Sequence, residues 1–392
     1  MSDSYTKTTS TSLGSRLGSS LIGVIVGIVL FIAAFPVIFW NEGRAIKRTK
    51  ALNEGEKVCV TIDAAAPAAE TEGKLVHLAG PVKTTERLGD EVFGVSVSNS
   101  LRFARIVEMY QWKETSHSET KKKTGGGTET TTTYTYNKVW SDTPIDSSSF
   151  EKPEAHENPV DWPVTGEKWQ VPEATLGVFS LSQDQIERAG KEAPFTPFVT
   201  NNMPLPGGLD AAYVRIPGGF FLSASAGSSV SAPKVGDIKV TFESAPVCEI
   251  SMCGKKEGNT IRKYQTANGL LILQYNGNMS KEEIFAAAHR DNTILTWLIR
   301  VAALLMFFFG LKLIIGPLNV LADIIPFFGN IMDFVTGTAT FLIALILTLI
   351  TVAIAWLTVR PVIGIALIVI AVLLIVLAKK KGKEKKQAVQ QQ

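Results

Sequence analysis

From Leu21 to Trp40 the chain carries no charged residue. A helix rises about 1.5 Å per residue, so roughly 20 apolar residues cross a hydrocarbon core about 30 Å thick. Further apolar stretches run over Ile294–Ile315, Phe334–Val359 and Val362–Ala378. The fold class this dictates is membrane α plus β. Four transmembrane helices carry a large, mostly β extracytoplasmic domain, inserted between the first and second. The expected segments are a Ser/Thr-rich disordered tail (1–18), helix 1 (19–40), the β domain (41–293), helix 2 (294–316), an interfacial segment (317–333), helix 3 (334–359), helix 4 (362–378) and a basic cytoplasmic tail (379–392).

The first stretch reads as an uncleaved anchor. Its apolar run is longer than a signal core, and the bulky residues Phe35 to Trp40 stand where small ones precede a cut. The Lys379–Lys381, Lys383, Lys385 and Lys386 cluster places both termini in the cytoplasm and the middle domain outside it. Arg44, Lys47, Arg48 and Lys50 oppose that assignment, but long translocated domains follow the charge rule weakly. Basic residues are otherwise scattered, so nucleic acid is not an expected partner. Cys248 and Cys253 are disulfide candidates if that side is oxidising, with Cys59 left over. Three unpaired small side chains would fit equally well.

Strand-like runs fill the middle: Lys57–Ile62, Lys74–Val82, Val92–Val97, Arg105–Thr115, Thr131–Trp140, Tyr213–Ser223, Asp237–Ile250, Asn259–Gln265 and Leu270–Tyr275. They suit a small barrel or sandwich. Ser116–Thr130 reads as a hairpin tip with a solvated lysine run, and Leu181–Ala189 as a short helix. Ser280 with Glu283 forms a capping box that should open a helix leading into the second span. Between the second and third spans, apolar residues at helical spacing, broken at Pro326, predict an interfacial helix pair.

Catalytic signatures such as a nucleophile elbow, a zincin helix or a P-loop are missing from the sequence, so neither an enzyme nor a cofactor or metal is expected. Ser15, Ser19, Gly23 and Gly27 place small residues on one face of helix 1, a candidate surface for self-association or for packing on the other spans. Arg300, Lys312, Asp323, Asp333 and Arg360 are the charges at membrane depth or its edges. Arg300 and Lys312 lie near the ends of their span, where long side chains snorkel. These charges support an alternative reading as a channel or transporter. A second alternative is a membrane-interface lipid-binding enzyme using His156, Glu157 and Trp162.

Asn41-Glu42-Gly43-Arg44-Ala45 directly after the first span, Glu72 to His77, Glu108 to Trp112, Tyr134 to Asn137, His156 to Pro159 and Val235 to Ile238 occur in order along the chain. Together with the one-plus-three span layout and the helix before Arg290 to Trp297, they resemble the transmembrane protein 43 (LUMA) family. The resemblance implies an integral, multi-pass membrane protein with its large domain on the lumenal side. It further implies a self-associating scaffold that organises membrane-protein complexes, with lipids, copies of itself and other membrane proteins as partners. The animal member sits in the endoplasmic reticulum and inner nuclear membrane, and the family extends to bacteria. The expected location is therefore one of those membranes in a eukaryote, or the inner membrane of a bacterium.

Overall fold

The computed structural model of the chain describes residues 3–196, 213–225, 227–324 and 326–359. These divide into two compact units. One gathers the described residues within 1–8, 52–119 and 131–288, the other those within 9–51, 120–130 and 289–392.

The second unit is built on helices. The α-helices among the described residues are α1 (Leu13–Val58), α2 (Gln183–Arg188), α3 (Lys281–Ala322) and α4 (Pro326–Val359). Long apolar runs without charge favour a helix in lipid because it satisfies its own backbone. Among the described residues, three segments are long and apolar enough to cross a membrane, in α1, in α3 and over Thr336–Thr358 of α4. The expected fourth span over 362–378, the tail 379–392 and Arg360 lie outside the described residues. Small and aromatic side chains meet among the helices: Ala34 and Ile38 of α1, Ala303 and Phe307 of α3, and Ala344 and Ala355 of α4 are buried together. Phe31 and Phe35 meet Phe307 edge-on, with ring centroids 5.5 and 4.9 Å apart.

Several expectations are corrected here. The tail is not disordered, because Asp3–Thr11 is a strand on the edge of Thr128–Ser141, where its β-branched threonines fit a pleated surface. The segment 317–333 is not a separate interfacial pair. α3 continues through Pro317 to Ala322, and α4 opens at Pro326, where a missing N–H costs nothing. The strand expected from Lys57 shrinks to Val60–Thr61 because α1 persists to Val58. The capping box does open α3: Ser280 N donates to Glu283 Oε2 at 2.8 Å, and Glu283 N to Ser280 Oγ at 3.2 Å.

The first unit is mostly β. In one sheet the order is Asp3–Thr11, Thr128–Ser141, Ser100–Lys122, Ile238–Pro246, Gly219–Leu222 and Tyr213–Ile216. Short strands Glu167–Gln170 and Ala193–Phe195 flank its centre. In a second sheet, Glu249–Glu257, Thr260–Arg262, Phe179–Ser180, Thr175–Leu176 and Leu75–Lys83 pair in turn. Leu75–Lys83 then pairs back on Glu249–Glu257, closing a small barrel. The run Asp237–Ile250 is thus two strands in different sheets, divided after Pro246, which has no N–H to continue a ladder. Tyr213–Ser223 is a hairpin whose turn needs Gly218 at φ +81°. The tip after Ser100–Lys122 is tighter than expected, with strand resuming at Thr128. The core joins Leu78, Val107, Phe103, Phe179, Val240, Phe242 and Met252. A second cluster holds Leu52 and Cys59, Leu75, Cys253, Leu271, Ile284 and Phe285.

Candidate functional site

A guanidinium inside an apolar helix needs either water or a counter-charge. Snorkelling, expected from its place near a helix end, is not what Arg300 does. Its Nε donates to Glu42 Oε1 at 2.7 Å and its Nη2 to Glu42 Oε2 at 2.8 Å. Trp356 Nε1 adds a third bond to Glu42 Oε2 at 2.7 Å. One carboxylate on α1 thereby joins α3 and α4. The fork-to-fork geometry is the strong form of an ion pair, and Glu42 is only 2% exposed. The Arg300 guanidinium also lies 4.8 Å from the Trp297 ring centre and 5.6 Å from that of Trp356, within cation–π range.

Two residues further along α1, Arg44 donates to Asn292 Oδ1 at 3.0 Å, and to Asn41 Oδ1 and Thr296 Oγ1, each at 3.1 Å. Asn41 Nδ2 donates to the Thr296 carbonyl at 3.1 Å, and Asn292 Nδ2 to the Ala45 carbonyl at 3.0 Å. Asn41 is fully buried, so its amide must be satisfied within the protein. Glu42, Thr49, Asn292, Thr296, Trp297, Arg300 and Trp356 line a cleft of about 220 Å³. Chemically the arrangement is a clamp. Both oxygens of Glu42 accept from fixed donors, which suits joining helices better than abstracting a proton.

A second charged cluster lies in the same unit. Asp323, buried, pairs with Arg16 at 2.5 Å and with Lys122 at 2.6 Å. Arg16 also donates to the Gly126 carbonyl at 2.6 Å, and Gly125 N to the Ile324 carbonyl at 3.1 Å. The lysine run of the hairpin tip is therefore not wholly solvated: Lys122 reaches Asp323 and Lys123 reaches Glu129.

The other predicted residues fall as follows. Gly27 is buried; a Cβ there would lie 2.7 Å from the Gly310 carbonyl and 2.9 Å from Leu313 Cβ, so its face is occupied by α3 of the same chain. A Cβ at Gly23 would lie 3.5 Å from Leu313 Cδ2, an ordinary contact, while Ser15 and Ser19 are exposed. Lys312 is exposed, with its Nζ 6.0 Å from the Phe308 ring centre. Asp333 is on α4, but its side chain lies outside the described ones.

Cys248 and Cys253 do not meet. Five residues of extended chain put them about 16 Å apart and on opposite faces, far beyond the roughly 4.4–6.8 Å between Cα atoms that a disulfide requires. Cys253 faces Cys59 instead, with sulfurs 3.3 Å apart. The contact with Cys59 and burial both push the Cys253 thiol pKa up.

His156 is stacked on Tyr136 at 3.8 Å, edge-on to Trp112 at 4.7 Å, and bonded through Nδ1 to the Lys152 carbonyl and through Nε2 to Asp3. Burial and then the Glu114 bond raise the Tyr136 pKa. Asn158 donates to the Trp112 and Ile145 carbonyls and accepts from Trp112 N. This motif holds loops together. His77, with Nε2 3.0 Å from the Met279 carbonyl, has its pKa lowered by burial. Among the described residues no three or more His, Cys, Asp or Glu side chains are grouped to hold a metal ion.

Sequence reading missed the clamp because Glu42 and Arg300 stand 258 positions apart. A usable signal was present: an acid directly after one apolar run and an uncancelled base inside another.

Comparison with known proteins places these residues in a wider set. The family model described as transmembrane protein 43 matches residues 109–361. The rat protein named transmembrane protein 43 is 32% identical over 371 residues, covering 91% of this chain and 89% of its own length. The human one is 31% identical over 370 residues, covering 90% and 89%. A Drosophila melanogaster homolog is 29% identical over 348 residues, covering 86% and 89%. No solved structure matches.

Proposed function

Because this chain belongs to the transmembrane protein 43 family, we propose that it is a non-enzymatic, multi-pass membrane scaffold. Its helices hold a β-rich domain at the bilayer, where that domain binds other membrane proteins or lipid headgroups and organises them into complexes, together with further copies of the chain. The domain faces the extracytoplasmic or lumenal side in this reading. The observation that carries it is the Glu42 clamp, whose donors and acceptors are spent on holding α1, α3 and α4 together. Gly27 is already used against Gly310, so copies of the chain meet through another surface.

The test is chemical cross-linking in native membranes, followed by light scattering of the full chain in nanodiscs. A defined oligomer or a reproducible complex with other membrane proteins is expected. A lone monomer in both experiments overturns the scaffold. The ionisable pair among apolar helices favours a second reading, a channel or transporter. Ion flux in reconstituted vesicles that vanishes with Glu42→Gln would establish that reading instead.

A further inference from the structure

We infer that Cys59 and Cys253 form a structural disulfide in the mature protein, tying the end of α1 to the barrel strand Glu249–Glu257. The two sulfurs lie 3.3 Å apart across 194 positions of sequence. A disulfide bond is about 2.05 Å, so closure needs an approach of little more than 1 Å. Both positions are fixed by backbone bonds. Cys59 N donates to the Gly55 carbonyl at 2.9 Å, closing the last turn of α1. Cys253 is paired with His77 on one side and Leu273 on the other. Both side chains sit in one apolar cluster with Leu52, Leu75, Leu271 and Phe285. Cys248 is excluded, since it lies elsewhere, 3.9 Å from Asn276 Oδ1.

The reaction needs an oxidant, here a disulfide of the thiol–disulfide exchange class. The thiolate of one cysteine attacks the oxidant's S–S bond, giving a mixed disulfide and one reduced thiol. The second cysteine then attacks the protein sulfur of that mixed disulfide, releasing the other thiol. Two protein thiols lose two electrons, and their two protons end on the two thiols of the reduced oxidant. Cys59 is 5% and Cys253 0% exposed, so exchange takes place before the cluster closes and the bond is then shielded from reductants. Such a bond requires an oxidising compartment, so its presence also reports the side of the membrane on which the domain sits.

The test is peptide mapping of the full chain extracted from its native membrane. Free thiols are blocked during lysis, and digestion is done without reductant. The expected result is a linked Cys59–Cys253 peptide, with Cys248 blocked as a free thiol. Both Cys59 and Cys253 recovered blocked, or either one linked to Cys248, overturns the inference. A readout independent of mapping is the melting temperature of the chain in nanodiscs. Reductant applied through one unfolding and refolding cycle should lower it by roughly 10 °C in wild type, given the long loop closed, and leave Cys59→Ala with Cys253→Ala unmoved. Equal melting of oxidised and reduced wild type also overturns it.

Discussion

Two buried carboxylates in the helical unit, Glu42 and Asp323, solve the same problem with different partners. Glu42 takes its donors from Arg300 and Trp356, which stand on helices that are apolar around them. Asp323 takes Arg16 from the first turns of α1 and Lys122 from a hairpin tip. Arg16 and Glu42 are separated by about 39 Å along α1, at about 1.5 Å per residue, so a hydrocarbon core about 30 Å thick fits between the two clusters. The first cluster can form inside a bilayer. The second recruits a strand pair whose ends, Lys113 to Lys122 and Thr128 to Thr133, carry polar and charged side chains throughout. An open polar ribbon has no place in lipid, where every backbone group needs a partner. The chain reaches that hairpin only after α1 has ended, so a membrane-spanning α1 and the Arg16–Gly126 contact exclude each other in one embedded molecule. The apolar run of α1 predicts that the tip contact is lost in the membrane-embedded chain.

The largest effect should come from cutting the Glu42 clamp. Glu42→Ala strands a partly buried guanidinium and should cost about 3 kcal/mol. It should appear as a clear fall in the melting temperature of the nanodisc-embedded chain. Glu42→Leu combined with Arg300→Leu should recover much of that loss, because it removes both charges. A Glu42→Ala variant that melts with wild type would reduce the clamp to an incidental contact. Next comes packing. Gly27→Leu drives a side chain into the backbone of α3 and should cost about 2 kcal/mol, against under about 1 kcal/mol for Gly23→Leu. Equal effects would show that α1 does not meet α3 at Gly310.

Cross-linking separates the two clusters directly. Ala45→Cys with Asn292→Cys should be joined in nanodiscs by a short bismaleimide, whereas Arg16→Cys with Gly126→Cys should not. Efficient joining of the second pair in lipid would mean that α1 does not span. The smallest effect lies in the β domain. Burial holds His77 neutral by lowering its pKa, while an unfolded histidine titrates near 6.5. On acidification the unfolded chain takes up this proton first. The His77 contribution is therefore complete above about pH 6.5 and declines as pH falls below it. Melting curves at pH 7.5 and 5.5 for wild type and His77→Gln should show a larger acid-induced drop in wild type; parallel drops would remove His77 as the cause.

Much of the architecture was legible because its signals are local. The apolar runs at 21–40, 294–315 and 334–359 name their helices, and Ser280 with Glu283 names the start of α3. Thr131 to Trp140 announces a strand through its side-chain types. What escaped is set by distance in sequence. Asp237–Ile250 reads as one strand because nothing local says that its halves join different sheets. Asp3–Thr11 reads as disordered because its partner edge begins at Thr128. At the site, Arg300 and Glu42 were each visible as out-of-place charges, but only three-dimensional packing pairs them. The cysteines show the same limit: nearness in sequence favours Cys248 with Cys253, whereas the fold brings Cys59 to Cys253.

The clamp also bears on how the chain is made. Synthesis runs from the N-terminus, so α1 reaches the membrane with Glu42 before its partners exist. Arg300, lying towards one end of the apolar run, costs α3 at most the about 2.5–3.5 kcal/mol of an arginine at a helix centre when it inserts on its own. The waiting carboxylate offsets that penalty when α3 enters, and Trp356 closes the third bond only after α4 has followed. Insertion is thereby ordered. A chain without Glu42 should insert α3 less efficiently, so a lower yield in the membrane should accompany the weakened mature protein.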